Sequence, residues 1–256
     1  MTLRILETMG AWVIKRCAEL GTMVLLYVNI LRQLKGKIRW RAILYQMSHL
    51  GVDSLMIVSL TLLFTGVVIT LQTAAKFIEF GAQGTIGGVV AIAIGRELGP
   101  VLVGVVCAGR VGAAITAEIA TMKVTEQIDA LRVMAVSPES YLILPRMLAC
   151  MAVVPILTVF GDIIGVAGGW VTAVHYSGIS SYTFMNGLRT FTEVFDLTGG
   201  MVKAVFFGNV IAVLGCYYGL TCPEGAEGVG KATTRTVVTS IIVIFILNAV
   251  LTFILF

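Results

Sequence analysis

Charge is what this chain has least of. Only 12% of its 256 residues are Asp, Glu, Lys or Arg, and 58% are hydrophobic. A soluble domain carries about one quarter charged residues and just under half apolar ones, so this composition excludes that class. Histidine is scarce as well: His49 and His175 stand far apart. The five cysteines (Cys17, Cys107, Cys150, Cys216 and Cys222) show no metal-ligand spacing, and the nearest pair, Cys216 and Cys222, has no histidine beside it. They read as buried free thiols, with no metal site and no cofactor expected. A lipid-modifying enzyme would need a nucleophile with a base or a metal cluster, and neither pattern is present, so no catalytic residue is assigned. Alternating ten-residue segments of the β-barrel kind are missing. The opening stretch "MTLRILETMGAWVIKRCAEL" carries Glu7 and Glu19 and lacks a compact apolar core before a small-residue cleavage site, so no signal peptide is expected. The loop "GAEGVGKAT" (225–233) approaches a phosphate-binding loop, but Ala232 follows Lys231 where a magnesium-holding hydroxyl belongs, and an apolar span rather than a strand precedes it.

What the chain does have is long apolar runs of the length that crosses a hydrocarbon layer about 30 Å thick as helix. The fold class predicted is an all-α integral membrane protein with about five transmembrane helices. The spans fall near 51–73, 86–117, 145–174, 199–219 and 236–256. The second is unusually long, about 48 Å of helix at 1.5 Å per residue, so it either projects from the bilayer or breaks, with Gly95, Gly99 and Pro100 as the expected break. Residues 1–49 form a separate interfacial region and residues 50–256 the membrane domain. In the former, Leu6, Met9, Val13, Cys17 and Leu20 recur at three- and four-residue steps, as in a helix lying in the interface. The run 21–31 is too short to span, and the basic cluster "RQLKGKIRWR" follows it. Eight Lys or Arg against two acids in residues 1–49 place the N-terminus in the cytoplasm, and five spans then put the C-terminus outside.

Against this background the stretch "MKVTEQIDALRVMAVSP" (122–138) is conspicuous for its polarity. Val124, Ile128, Leu131 and Ala135 form an apolar stripe on a four-turn helix, Lys123, Glu126, Asp129 and Arg132 a polar strip, and Pro138 ends it. By topology it is cytoplasmic. It packs either on the membrane and its own bundle or in a cleft of an ATPase subunit.

Charge inside the spans is the second feature. Arg96 and Glu97 fall near mid-membrane, where a charge costs on the order of 2.5–3.5 kcal/mol and normally faces protein or water. Neighbours on a helix point about 100° apart, so each needs its own counter-charge. Lys203 is the candidate for Glu97. Asp162, about 25 Å along the third span, could meet Arg96 or Lys203. These groups either lock the bundle or form a polar patch at a lipid path, Arg96 and Lys203 facing phosphate. Gly95-x-x-x-Gly99 and Gly165-x-x-x-Gly169 predict close helix approach.

The ordered block "IGRELGPVLVGVVCAGRVGAAITAEIATMKVTEQIDALRVMAVSPESYLILPRMLA", with "TTRTVV" before the last span, resembles the MlaE (YrbE) family over roughly residues 45–256. These are permease subunits of ABC transporters that work with MCE-domain proteins. The resemblance implies a homodimer in the bacterial inner membrane, a cytoplasmic ABC ATPase on each copy, a membrane-anchored MCE hexamer outside, and in some systems a small cytoplasmic accessory subunit. The cargo implied is phospholipid or a related lipid, with no nucleic acid involved. It also implies that residues 122–136 touch the ATPase, through Glu126, Ile128, Asp129, Leu131 and Arg132, and that Arg96, Glu97, Lys203 and, less firmly, Asp162 matter to function. A reading from another class remains: a secondary carrier or channel using Glu97 and Asp162 as ion-responsive carboxylates.

Overall fold

Each long apolar run folds as one long helix, because in a hydrocarbon environment every backbone N–H and C=O must be satisfied within its own segment. The computed structural model describes residues 2–34 and 39–256, the side chains of residues 2–13, 15 and 16 excepted. Eight helical segments follow in order: α1 (Thr2–Gln33), α2 (Trp40–Glu79), α3 (Gln83–Val124), α4 (Gln127–Val133), α5 (Glu139–His175), α6 (Ser181–Phe191), α7 (Val194–Leu220) and α8 (Ala226–Leu255). No strand occurs among the described residues. Among the described residues, helices α2, α3, α5, α7 and α8 are the five long and apolar enough to cross a membrane. They correspond to the five runs read in the sequence, each extended at its start and all but the last at its end.

The interfacial segment and the short run 21–31 turn out to be one helix, since α1 continues through Gly21. Leu6, Met9 and Val13 of the expected amphipathic stripe, and Lys35 and Lys37 of the basic cluster, lie outside the described residues or side chains. Of the rest, Cys17 and Leu20 are exposed. Helix α1 leans on α7: Thr22 Oγ1 and Tyr217 Oη lie 2.9 Å apart, and Asn209 Nδ2 donates to Tyr27 Oη at 2.9 Å.

Helix α5 is the central post, flanked by α2 and α7. Its approach to α2 depends on glycine. A Cβ at Gly66 would overlap the carbonyl oxygen of Gly165, and one at Gly169 would sit 2.7 Å from Thr70 Oγ1. Backbone-to-backbone contact of this kind replaces the hydrophobic driving force that is missing between helices in lipid. At the far side, Thr116 Oγ1 lies 2.7 Å from Thr236 Oγ1 and donates to Gly215 O at 3.1 Å, joining α3, α8 and α7.

The long second span does not break. It runs unbroken through two π-helical turns, 93–98 and 108–112, with α-helix on either side. The first contains Gly95, Arg96, Glu97 and the residue before Gly99, so the expected irregularity is there as a widened turn and not as an interruption. The Gly99 N–H reaches back five residues to Ile94 O. Pro100, which has no N–H, stands four residues after Arg96 and leaves the Arg96 carbonyl without its usual helical partner. The segment between α5 and α7 holds a helix that apolar run length alone does not reveal. In α6, Phe184 and Gly187 are buried against the start of α3, where a Cβ at Gly87 would overlap Phe184 O.

Candidate functional site

Two places concentrate the chain's charge, one at the end of the bundle that carries α6 and one at the end that carries α4. At the first, the π turn of α3 points Arg96 and Glu97 to different neighbours. Lys203, nine residues into α7, is fully buried and uses all three of its ammonium protons. It donates to Glu97 Oε1 at 2.8 Å, to Thr252 Oγ1 at 2.8 Å and to the Arg96 carbonyl at 3.0 Å. The third bond takes up the acceptor that Pro100 leaves free. Asn248 Nδ2 donates to Glu97 Oε2 at 3.1 Å, and Thr252 Oγ1 sits 3.1 Å and 3.2 Å from the two carboxylate oxygens. Glu97 and Lys203 thus meet as their depths suggest.

Arg96 has a different partner from the one expected. Its Nε lies 3.4 Å from Asp196 Oδ1, in the first turn of α7, and its guanidinium stacks 3.6 Å from the centroid of the Phe256 ring. Such stacking on an aromatic face shelters a cation from hydrocarbon. Asp196 is held in turn by the capping box, its Oδ2 accepting from the Glu193 N–H at 2.9 Å. Asp162 meets neither Arg96 nor Lys203. Its carboxyl is aimed at Gly99, where a Cβ would overlap Oδ1, and neither oxygen has a hydrogen-bond partner among the described residues. Both cations are already taken by acids whose helices place them nearer.

Asp196, Asn248, Thr252 and Phe256 were not singled out from sequence, though signals existed. Asp196 and Lys203 are seven residues apart and share a helix face, and Asn248 and Thr252 form an i, i+4 polar pair in an otherwise apolar span.

At the other end, the four-turn helix expected over 122–138 is two helices. Helix α3 ends at Val124, Glu126 adopts a left-handed backbone (φ 60°), and α4 covers only Gln127–Val133 before a second left-handed residue, Ala135 (φ 58°). Pro138 does not end this helix; it precedes the first turn of α5. The break rotates the expected stripe apart. Ile128 is 2% exposed and packs into the bundle core with Leu131 against it, whereas Val124 and Ala135 are exposed. Ile128 is therefore an anchor and not available surface. What projects is Glu126, the Asp129–Arg132 ion pair (2.9 Å), Val133 and Met134, with Val133 88% exposed. Lys123 pairs with no acid of its strip: it donates to Cys222 O at 2.7 Å, tying the end of α3 to the loop after α7. Burial raises the Cys222 thiol above its ordinary range, partly offset by the Lys123 charge. Below α4, the buried Arg146 bonds Glu118 Oε1 at 2.6 Å and Leu142 O at 2.8 Å, binding the segments on either side of the turn.

The sequence profile of the family described as Permease MlaE matches residues 43–254. A probable ABC transporter permease protein of Synechocystis is 45% identical over 223 residues, 87% of this chain and 85% of that protein. One of Rickettsia typhi is 40% identical over 257 residues, 100% of this chain and 99% of its own. The intermembrane phospholipid transport system permease protein MlaE of Haemophilus influenzae is 40% identical over 212 residues, 82% of this chain and 81% of that protein. With five apolar spans, buried intramembrane charge and a projecting turn, this chain belongs to the MlaE permease family: it is a multi-pass membrane transporter subunit and not an enzyme.

Proposed function

We propose that this chain is the permease of an ABC transporter that moves phospholipid between the bacterial inner membrane and an MCE-protein conduit leading toward the outer membrane. It works as a homodimer. A cytoplasmic ABC ATPase engages each copy at α4, an MCE-domain hexamer sits over the opposite face, and a small accessory subunit accompanies the ATPase where one is present. The N-terminus is cytoplasmic and the C-terminus periplasmic. The observation that carries this reading is the projecting turn: Val133, 88% exposed and beside the charged pair Asp129–Arg132, stands on a helix locked to the core through Ile128. A hydrophobic tip held rigidly outside its own bundle suits a partner's cleft and transmits a push to α3 and α5. Arg96, Glu97, Lys203 and Asp196 tie the opposite half of α3 to α7, and the part-exposed Arg96 of that cluster meets the phosphate-bearing end of the lipid. The carrier or channel reading is less favoured, because Glu97 is fully engaged by Lys203, Thr252 and Asn248.

Tagged chain extracted from its native membrane in mild detergent should bring an ABC ATPase with it. Val133→Asp combined with Met134→Asp should release the ATPase without altering the permease's own elution. A wild-type chain that emerges alone, or a double variant that keeps its ATPase, would sink the proposal.

A further inference from the structure

Arg96 is held less firmly than Lys203 beside it. Its side chain is 35% exposed, and its one acid contact, from Nε to Asp196 Oδ1, is 3.4 Å long. That contact is not a hydrogen bond: Nε is buried and makes none among the described residues. An ion pair held at a single point sets a distance and leaves the direction of the guanidinium plane open, unlike a two-pronged pair. The terminal nitrogens make no hydrogen bond or ion pair among the described residues. What remains to set the direction is the face of the Phe256 ring, whose centroid lies 3.6 Å from the guanidinium carbon.

The ring is itself placed from two sides. Asn248, Thr252 and Phe256 follow at four-residue steps, so Phe256 continues the face of α8 that carries Asn248 and Thr252 to Glu97. On the α7 side its tip takes the room a side chain would need at Gly199, where a Cβ would stand 2.6 Å from Phe256 Cζ. Phe195, one turn before Gly199, meets the ring edge to face at 5.4 Å, and Lys203 Nζ lies 5.1 Å from the ring centroid.

We propose that Phe256 is a positioning residue for Arg96, a role that rests on Arg96 meeting the phosphate of the lipid. Its π face holds the guanidinium flat against the end of α8 and leaves the terminal nitrogens available to an anion. The hold is electrostatic as well as steric, because the ring face is the negative part of the aromatic quadrupole. Gly199 matters for the same reason: it is the slot that lets α8 bring the ring beneath Arg96.

Replacing Phe256 by meta-difluorophenylalanine in the full chain, purified with its ATPase, separates the two contributions. Fluorine draws charge from the ring face, keeps the ring's shape and leaves Cζ unaltered toward Gly199. Modification of Arg96 by phenylglyoxal, read by mass spectrometry against the exposed Arg189 of the same sample, should be about threefold faster in the fluorinated protein than in wild type. In Phe256→Leu, which has no π face, it should be about fivefold faster. Gly199→Ala, which pushes an intact ring aside, should match Phe256→Leu, and the two together should add nothing further. Transfer of a fluorescent phospholipid by the reconstituted complex should fall in the same order, with the ATPase still bound. Equal Arg96 rates in the fluorinated and wild-type proteins overturn the proposal, since the ring would then only fill space. So does full transfer by Phe256→Leu when Arg96→Ala abolishes it. Full transfer by Arg96→Ala instead removes the phosphate reading of Arg96, and the role of Phe256 falls with it. If Phe256→Leu or Gly199→Ala fails to assemble, the fluorinated protein, whose shape is that of wild type, decides alone.

Discussion

Reversing the Glu97–Lys203 pair should not restore a wild-type protein, and the reason is a single carbonyl. Removing one partner of a buried ion pair costs about 3–5 kcal/mol, because the other charge is left without compensation. Lys203→Met keeps the length of the side chain, but strips the donors from Glu97, Thr252 and the Arg96 carbonyl. Glu97 is one-third exposed, so some of its charge can be relieved and a loss of about 3 kcal/mol is expected. Glu97→Gln is milder, about 1–2 kcal/mol. The amide still accepts from Lys203, and Asn248, whose Oδ1 has no partner among the described residues, can turn its amide to meet the new N–H. The double reversal Glu97→Lys with Lys203→Glu restores opposite charges, yet a carboxylate at 203 cannot donate to the Arg96 carbonyl. Pro100 cannot donate either. A residual loss of about 1–3 kcal/mol should remain, the cost of one buried unsatisfied acceptor. Unfolding of the four proteins in mixed micelles, followed by circular dichroism and analysed as a double-mutant cycle, measures this directly. A double reversal as stable as wild type would refute the argument, since the Arg96 carbonyl would then not depend on Lys203. A Lys203→Met loss below about 1 kcal/mol would show that its three bonds do not help to hold α3 to α7 and α8 at this end of the bundle.

Gly66→Val should be worse than any charge substitution, costing upwards of about 4 kcal/mol, because its side chain would occupy the position of the Gly165 carbonyl and neither backbone can yield; a monodisperse, helical variant on size-exclusion chromatography would contradict the α2–α5 contact. Arg146→Ala removes the buried guanidinium together with its charge and leaves a half-exposed Glu118 that water can solvate, so it should cost about 1–2 kcal/mol. Glu118→Gln leaves the buried Arg146 guanidinium without a counter-charge and should cost more, about 3 kcal/mol; a larger loss for Arg146→Ala in thermal unfolding would overturn that order. Maleimide at pH 8 should label Cys17 alone, as it is the one exposed thiol of the five. Cys222 should stay unlabelled, being 2% exposed with its thiol pushed up by burial; mass spectrometry of the peptides reads the outcome, and early modification of Cys222 would show that the Lys123-held loop opens.

The number, order and approximate place of the spans were legible in the residues themselves. A helix in hydrocarbon must be long and apolar, and both properties are local. The pairing of Lys203 with Glu97 was legible too, because rare charges at equal depth have few alternatives. Rotation about the helix axes was not. Arg96 finds Asp196 and not Asp162 because a π turn shifts its direction and the α7 capping box holds the acid in place, and both depend on contacts distant in sequence. The stripe over 122–138 had the right period for one helix, yet the left-handed backbone at Glu126 and Ala135 splits it, leaving Ile128 inside and Val133 outside. Periodicity reports which residues could share a face; only the packing of α3 against α5 and α7 decides where the chain must turn to bury it. Hydrophobicity along the chain thus determined what crosses the membrane, and the tertiary structure decided which way each buried charge looks, because a counter-charge is chosen by distance in space.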